Sequence, residues 1–473
     1  MHASMKPPWR AVAAAALLCL ALAPTPSAWG HVKWFTDFDF LTPPMTTREV
    51  VTPLYIGLAV LSMLAIAAVV LLDKRLNGLS IYQRISAWLD RHSVHSVSVM
   101  RVVMAAVLLI AWSSNAVLSP ELRTDLEPLV WLQYVVAALL VFPRTAALGG
   151  GGILAIYLGA IAEFGLFHML DYLHYIGISV FLLVSRSERP HLRSIGLPAL
   201  YATVGFSLIW LAYEKLYYPS WVLHVLEENP QLALGLPLVF FVQSAAFVEI
   251  NLGFMLLIGL LGRPLAAGLT FVFFSTTMIF GKVELIGHMP LHATLVVFLL
   301  NGAGDFYKPL IAIHDTLARR VAFAVSSFAL VAMLFLVVYG WSAHQQYTGA
   351  MVRAHSGQGV QMFDLSDAAS IPEITAMRVV EEMPGSYDLH VTIDHWRFTP
   401  ERTGQAPVAN EGHGHLFING AKAGRLYGSW HHLGRLTPGK NTIVVTLNAN
   451  DHSDFYVDGA RIQGKTTIHV PRR

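Results

Sequence analysis

The chain has 473 residues, 55% hydrophobic and 13% charged, with a formal net charge of +2. Soluble domains carry about 25% charged residues, so a wholly soluble enzyme is excluded. The near-neutral balance excludes a nucleic-acid binder, which needs clustered Lys and Arg, and the hydrophobic fraction excludes a disordered chain.

Residues 1–30 read as a secretory signal. Lys6 and Arg10 supply the basic start, Ala11 to Leu22 an apolar run, and Ala28-Trp29-Gly30 a small-x-small cleavage site. The apolar run is too short to span a bilayer, which takes about 20 residues. The sole cysteine, Cys19, lies inside it, so the mature chain is expected to hold none. That removes thiolate ligands, Fe–S clusters and covalent haem. Cleavage after Gly30 would leave His31 first, its α-amine and imidazole forming a chelating pair suited to Cu(II).

Nine to ten later segments are apolar enough to cross a membrane, near 51–72, 99–118, 128–146, 150–165, 168–185, 195–215, 235–261, 264–281, 288–302 and 321–342, polar residues interrupting the pair at 150–185. One set of alternate loops carries most of the basic residues, among them Lys74, Arg75, Arg84, Arg91, Arg144, Arg186, Arg263 and Arg319. The opposite set holds little beyond Lys33, Arg48, Arg123 and Lys282. The positive-inside rule puts the first set in the cytoplasm. An even number of spans then places residues 31–50 and everything after Ser342 in the periplasm of a bacterial inner membrane. Stretches 79–92 and 307–320 repeat apolar residues at helical spacing and read as amphipathic helices on the inner leaflet.

The expected organisation is a signal peptide at 1–30 and a periplasmic segment at 31–50. A first span with its amphipathic loop follows at 51–98. Four-helix units at 99–194 and 195–303 come next, then a loop and last span at 304–342, and a periplasmic domain at 343–473. The two four-helix units match each other. FGLFHMLDYLHYIGISVFLL from Phe164 aligns with FGKVELIGHMPLHATLVVFLL from Phe280, and WSSNAVLSP, ending at Pro120, faces LAYEKLYYP, ending at Pro219. Such duplication commonly builds a membrane bundle with a site between its halves.

Residues from about 195 to 302 resemble the DoxX family of four-helix membrane proteins. The resemblance rests on LAYEKLYYPSW, VEINLGFMLLIGLLGRPLAAGL and GKVELIGHMPLHATLVVFLL. It covers a quarter of the chain firmly and, through the first unit, another quarter loosely. It implies an all-α polytopic bundle and an association with redox complexes, some relatives resembling a subunit of thiosulfate:quinone oxidoreductase. It implies no particular reaction, and this chain lacks the cysteines through which some relatives work.

Charged groups within spans are costly and usually face a polar interior. Glu163, His168, Asp171 and His174 cluster in the first unit. Glu214 and Lys215 close the sixth span, and Lys282, Glu284, His288 and His292 surround the turn between the eighth and ninth. Glu284, His288 and His292 share one helical face if the helix runs through Pro290. Glu249 lies deep in the seventh span. Together they point to a polar cavity on the periplasmic side, able to coordinate a metal, relay protons or hold a quinone, or else to ion pairs that lock the bundle.

From Ala343 the composition turns polar. A connector at 343–372 precedes short alternating runs such as YDLHVTIDHW, HGHLFING and KNTIVVTLN, separated by turn formers. This pattern predicts an antiparallel β-sandwich. In HGHLFING, Leu416 and Ile418 take the core face, so His413 and His415 share the other, an arrangement suited to copper ahead of zinc. His431 and His432 with Tyr427, His452 with Asp451, and His395 are candidates to complete the site. No catalytic residue is assigned, and no nucleotide-binding or nucleophile motif occurs. The expected function is copper handling at the periplasmic face, with the lipid bilayer and a periplasmic metal or redox protein as partners. The alternatives are a quinone-linked electron-transfer or oxidase-complex subunit and a non-catalytic assembly factor.

Overall fold

The computed structural model describes residues 33, 42–124, 126–228, 233, 235–302, 310–356, 362–366, 368–383, 385–402, 405–419, 421–451, 453–458 and 460–471. The expected signal peptide with Cys19, and the candidate ligands His31 and His452, lie outside the described residues. The chain forms two compact units, divided at Ala343 and His344.

The first unit is helical. Its long helices are α1 Pro53–Asn77, α2 Ser80–His92, α3 Ser96–Ser113, α4 Glu127–Val141, α5 Ala146–Phe164, α6 His174–Val184, α7 Pro190–Tyr217, α8 Pro219–Glu228, α9 Leu238–Ile258, α10 Gly262–Phe280 and α11 Lys282–Asn301; α12 Leu317–Ser356 begins here. All ten apolar segments are helical over most of their length. Local signals set their ends: Thr52 caps α1, its hydroxyl accepting from the Tyr55 amide at 3.2 Å, with Pro53 in the first turn.

Seven helical stretches are long and apolar enough to cross a membrane, and this is a multi-pass membrane protein. An eighth crossing exists if the short turns of Leu166–Tyr172 and α6, bent by 61°, count as one. The expected nine to ten are therefore not reached. The 15 residues of α4 are too few, and α10, which carries Arg263 and a Ser275-Thr276-Thr277 run, is not among the seven. The predicted span at 99–118 also stops early, at Ser113. Residues 116–123 form a hairpin instead, β1 Ala116–Val117 with β2 Ser119–Arg123. Gln133 of α4 clamps it, accepting from the Leu118 amide and donating to the Ala116 carbonyl.

Small residues let the helices approach closely. On α7 and α9, Gly205 and Gly253 face each other. A Cβ on either would stand 2.6–2.7 Å from the other's carbonyl oxygen. Helices α5 and α10 both end at a Phe-Gly step whose glycine has positive φ, +82° at Gly165 and +76° at Gly281. Glycine tolerates that backbone, and the chain breaks direction there in both halves.

The second unit is β-rich. Helix α12 continues to Ser356, into the stretch expected as a connector. Eight strands form one sheet: β3 Met362–Asp364, β6 Arg397–Phe398, β7 Glu411–Ile418, β8 Ala421–Leu426, β10 Gly439–Asn448, β11 Asp454–Val457, β12 Ala460–Arg461 and β13 Gln463–Val470. The other sheet holds β4 Glu373–Met383, β5 Ser386–Asp394 and β9 Trp430–Gly434. Leu389 and Val391 from the smaller sheet pack with Leu416, Leu426, Ile443 and Val445 from the larger in one buried core. The domain is thus sandwich-like, as the alternating pattern predicts.

Candidate functional site

The break after Gly165 shapes the site. The chain makes a short helix, Leu166–Met169, and a tight turn, Leu170–Tyr172, before α6 begins. Asp171, Tyr172 and His174 are thereby delivered to a cavity of about 280 Å³ among α6 to α11. Leu208, Leu211, Val242 and Phe273 are among its apolar walls. Lys215, Glu249, Glu284 and His288 also line it. Six of the eleven residues expected from sequence at a cofactor-binding site are therefore brought together, from both halves of the bundle.

The charges are paired, one pair across helices and one along a single helix. Lys215 of α7 meets Glu249 of α9 at 2.7 Å, and Glu284 lies 3.2 Å from His288 one turn along α11. Helix α11 continues through Pro290, as the shared-face reading requires. His288 stacks on Phe273, ring centroids 4.6 Å apart. Behind the cavity wall, Lys33 reaches Asp171 at 2.5 Å and Glu214 at 2.6 Å, all three side chains no more than 3% exposed.

His174 is different. It is buried, its backbone amide donates to Ser207 Oγ at 3.3 Å, and its ring packs on Tyr175. Neither ring nitrogen has a hydrogen-bond partner among the described residues. A buried polar group left so costs about 1–3 kcal/mol.

The remaining expected residues stand outside the cavity lining. Glu214 pairs with Lys33. His168 pairs with Glu121 at 3.1 Å, and Glu121 also accepts from Tyr172 Oη. Glu163 accepts from Thr124 at 3.0 Å. His292 packs its ring against Phe273 and Phe274, and Lys282 is exposed. Sequence reasoning missed Glu121, Tyr172 and Ser207, and took Lys33 for a loop charge. The Ser-Pro-Glu step in the hairpin was a usable signal for Glu121. Nothing local marks Lys33, whose partner Asp171 is 138 residues away.

In the β-rich unit, His413 and His415 share one face of β7, with their Nε2 atoms 3.0 Å apart. His413 is fully buried, and the Tyr427 ring lies 5.7 Å from its own. Of the candidates to complete this site, Tyr427 is beside it, His432 pairs elsewhere and His452 lies outside the described residues. His432 instead bonds Asp388 at 2.6 Å across the β5–β9 pair, near Glu382, with ligand atoms of these three within 4.8 Å. Among the described residues this is the sole group of three or more His, Cys, Asp and Glu ligands. His431 packs near Gly424, and burial, reinforced by His432 and opposed by Asp388, holds its pKa below the usual histidine value. His395 sits exposed in a turn with φ of +53°.

Comparison with protein-family models, with characterised proteins and with solved structures gives no match.

Proposed function

We propose that this is an inner-membrane protein of DoxX-like build whose bundle binds a small redox molecule of the quinone class, as the membrane subunit of an electron-transfer or oxidase complex. The observation that carries this reading is His174. An apolar-walled cavity presents a buried imidazole with no hydrogen-bond partner among the described residues, and a ligand carbonyl or hydroxyl would supply one. A quinone head is flat and apolar with carbonyl acceptors at its edge, which suits both the walls and the imidazole. The volume is just under the ~300 Å³ at which small-molecule sites begin, enough for a head group and not for a large cofactor. Glu284–His288 and Lys215–Glu249 are groups that can exchange protons with such a head.

The DoxX-like build draws support from the matched Phe-Gly breaks, each followed by ionisable residues that line the same cavity. Eight crossings, with the bent pair counted as one, give an even count. The first described residues and the β domain then share a side, which the distribution of Lys and Arg makes the periplasm. The test is a titration of the intact protein in nanodiscs with a short-chain ubiquinone analogue, read by tryptophan quenching. Saturable micromolar binding, weakened at least tenfold by His174→Phe and unchanged by Lys282→Gln, is expected. Equal affinity in all three proteins, or no saturation, would refute the reading.

A second reading, copper or other transition-metal handling at the periplasmic face, is favoured by the His413–His415 pair. It makes a periplasmic metal or redox protein the natural partner of the β domain.

A further inference from the structure

We infer that Glu382, Asp388 and His432 form an open site for a divalent transition ion of the zinc class, on the face of the smaller sheet turned away from the core. The site is separate from the His413–His415 pair and does not depend on the copper-handling reading.

Three neighbouring strands each give one ligand. On β5, Tyr387, Leu389 and Val391 are buried toward the core, so Asp388 between them takes the opposite face. On β9, His432 stands directly across from Asp388, its Nδ1 2.6 Å from the carboxylate. On the other side of β5, the residue of β4 opposite Asp388 is Val380, which offers no ligand. The register then slips: Tyr387 faces Glu381, but its neighbour Ser386 faces Met383, leaving Glu382 as the extra residue of a bulge. Bulges bend a strand and re-aim a side chain. A ligand atom of Glu382 lies within 4.8 Å of ligand atoms of both Asp388 and His432.

The donor types set the class of ion. One imidazole with two carboxylates suits borderline divalent ions, whereas Mg(II) and Ca(II) take oxygen ligands throughout. The set has no thiolate or thioether, the soft ligands that favour Cu(I). Glu382 and His432 are exposed, so their side chains can adjust around an ion while the strands hold their Cα atoms in place. Without an ion, the face gathers two like charges against a single histidine, and a surface ion pair of that kind contributes little to stability. A divalent ion neutralises both carboxylates at once. Three protein donors leave open one of the four positions usual for zinc. Water or a donor from a partner fills it, so the site exchanges its ion rather than locking it in as a structural centre.

The test titrates the full chain in detergent with Zn(II) by calorimetry, with Ca(II) as the competing hard ion. Glu382→Gln, Asp388→Asn and His432→Gln should each weaken one equivalent of zinc binding by at least about tenfold. His413→Gln with His415→Gln should leave that equivalent unchanged, and excess Ca(II) should not displace it. X-ray absorption of the wild type holding one equivalent should show a single imidazole among oxygen donors. Wild-type zinc affinity in all three single variants would overturn the site, as would zinc lost only in the His413 and His415 double variant. Displacement by Ca(II) at equal concentration would overturn the class of ion. An absorption spectrum without imidazole scattering would refute the site even if a variant fails to fold.

Discussion

Lys33 holds two buried carboxylates together, and its removal gives a quantitative test of the bundle. In Lys33→Met, Asp171 and Glu214 lose the ammonium 2.5 and 2.6 Å away and are left facing each other at 3% exposure or less. Removing one partner of a buried ion cluster costs roughly 3–5 kcal/mol, because the other charges stay buried uncompensated. Replacing the whole cluster by neutral groups of similar size is often nearly neutral. The triple variant Lys33→Met, Asp171→Asn, Glu214→Gln should therefore recover most of the loss. At about 2–4 °C per kcal/mol, the single variant should melt about 6 °C or more below the wild type. Differential scanning fluorimetry of the purified protein in nanodiscs reads this directly. An unchanged melting point in Lys33→Met, or a triple variant no better than the single, would show that the three charges do not form one unit.

Other consequences follow from close contacts and titration. A Cβ at Gly412 would stand 2.0 Å from the Asn448 carbonyl oxygen, which the sheet cannot move. Gly412→Ala should cost the β domain about 2 kcal/mol or more, whereas normal stability would disprove the β7–β10 register. Gly253→Leu should part α7 from α9 and weaken quinone-analogue binding at least fivefold; undiminished binding would place the ligand elsewhere. His431 is held below its unfolded pKa of about 6.5 chiefly by burial. The folded domain therefore takes up its proton only at lower pH than the unfolded chain. Its contribution is full above about pH 6.5 and declines as pH falls below that. Calorimetry from pH 7.5 to 5 should show a falling β-domain transition, flatter in His431→Gln; parallel curves would contradict this.

The helices were legible because apolarity at membrane length is the strongest pattern a sequence carries. Their number was harder to read, since the bend after Gly165 and the Ser113 stop depend on positive-φ backbone and on Gln133 reaching a hairpin. The β strands read well where alternation was strict, as in KNTIVVTLN, and so did the shared face of His413 and His415. What failed was convergence. His432 joined Asp388 because β9 pairs with β5, a choice of neighbour that strand pattern alone cannot express. Lys33 was misread for a similar reason: its partners Asp171 and Glu214 come from distant segments that only the folded bundle brings to one place.

The most direct measurement is photo-crosslinking of an azido-quinone to the intact protein in nanodiscs, followed by peptide mapping. The account predicts label on the 170–176 and 284–291 segments, which contribute His174 and His288, with labelling suppressed by excess unlabelled quinone and lost in His174→Phe. Label confined to the lipid-facing surface of α1 or α12, indifferent to competitor, would contradict it.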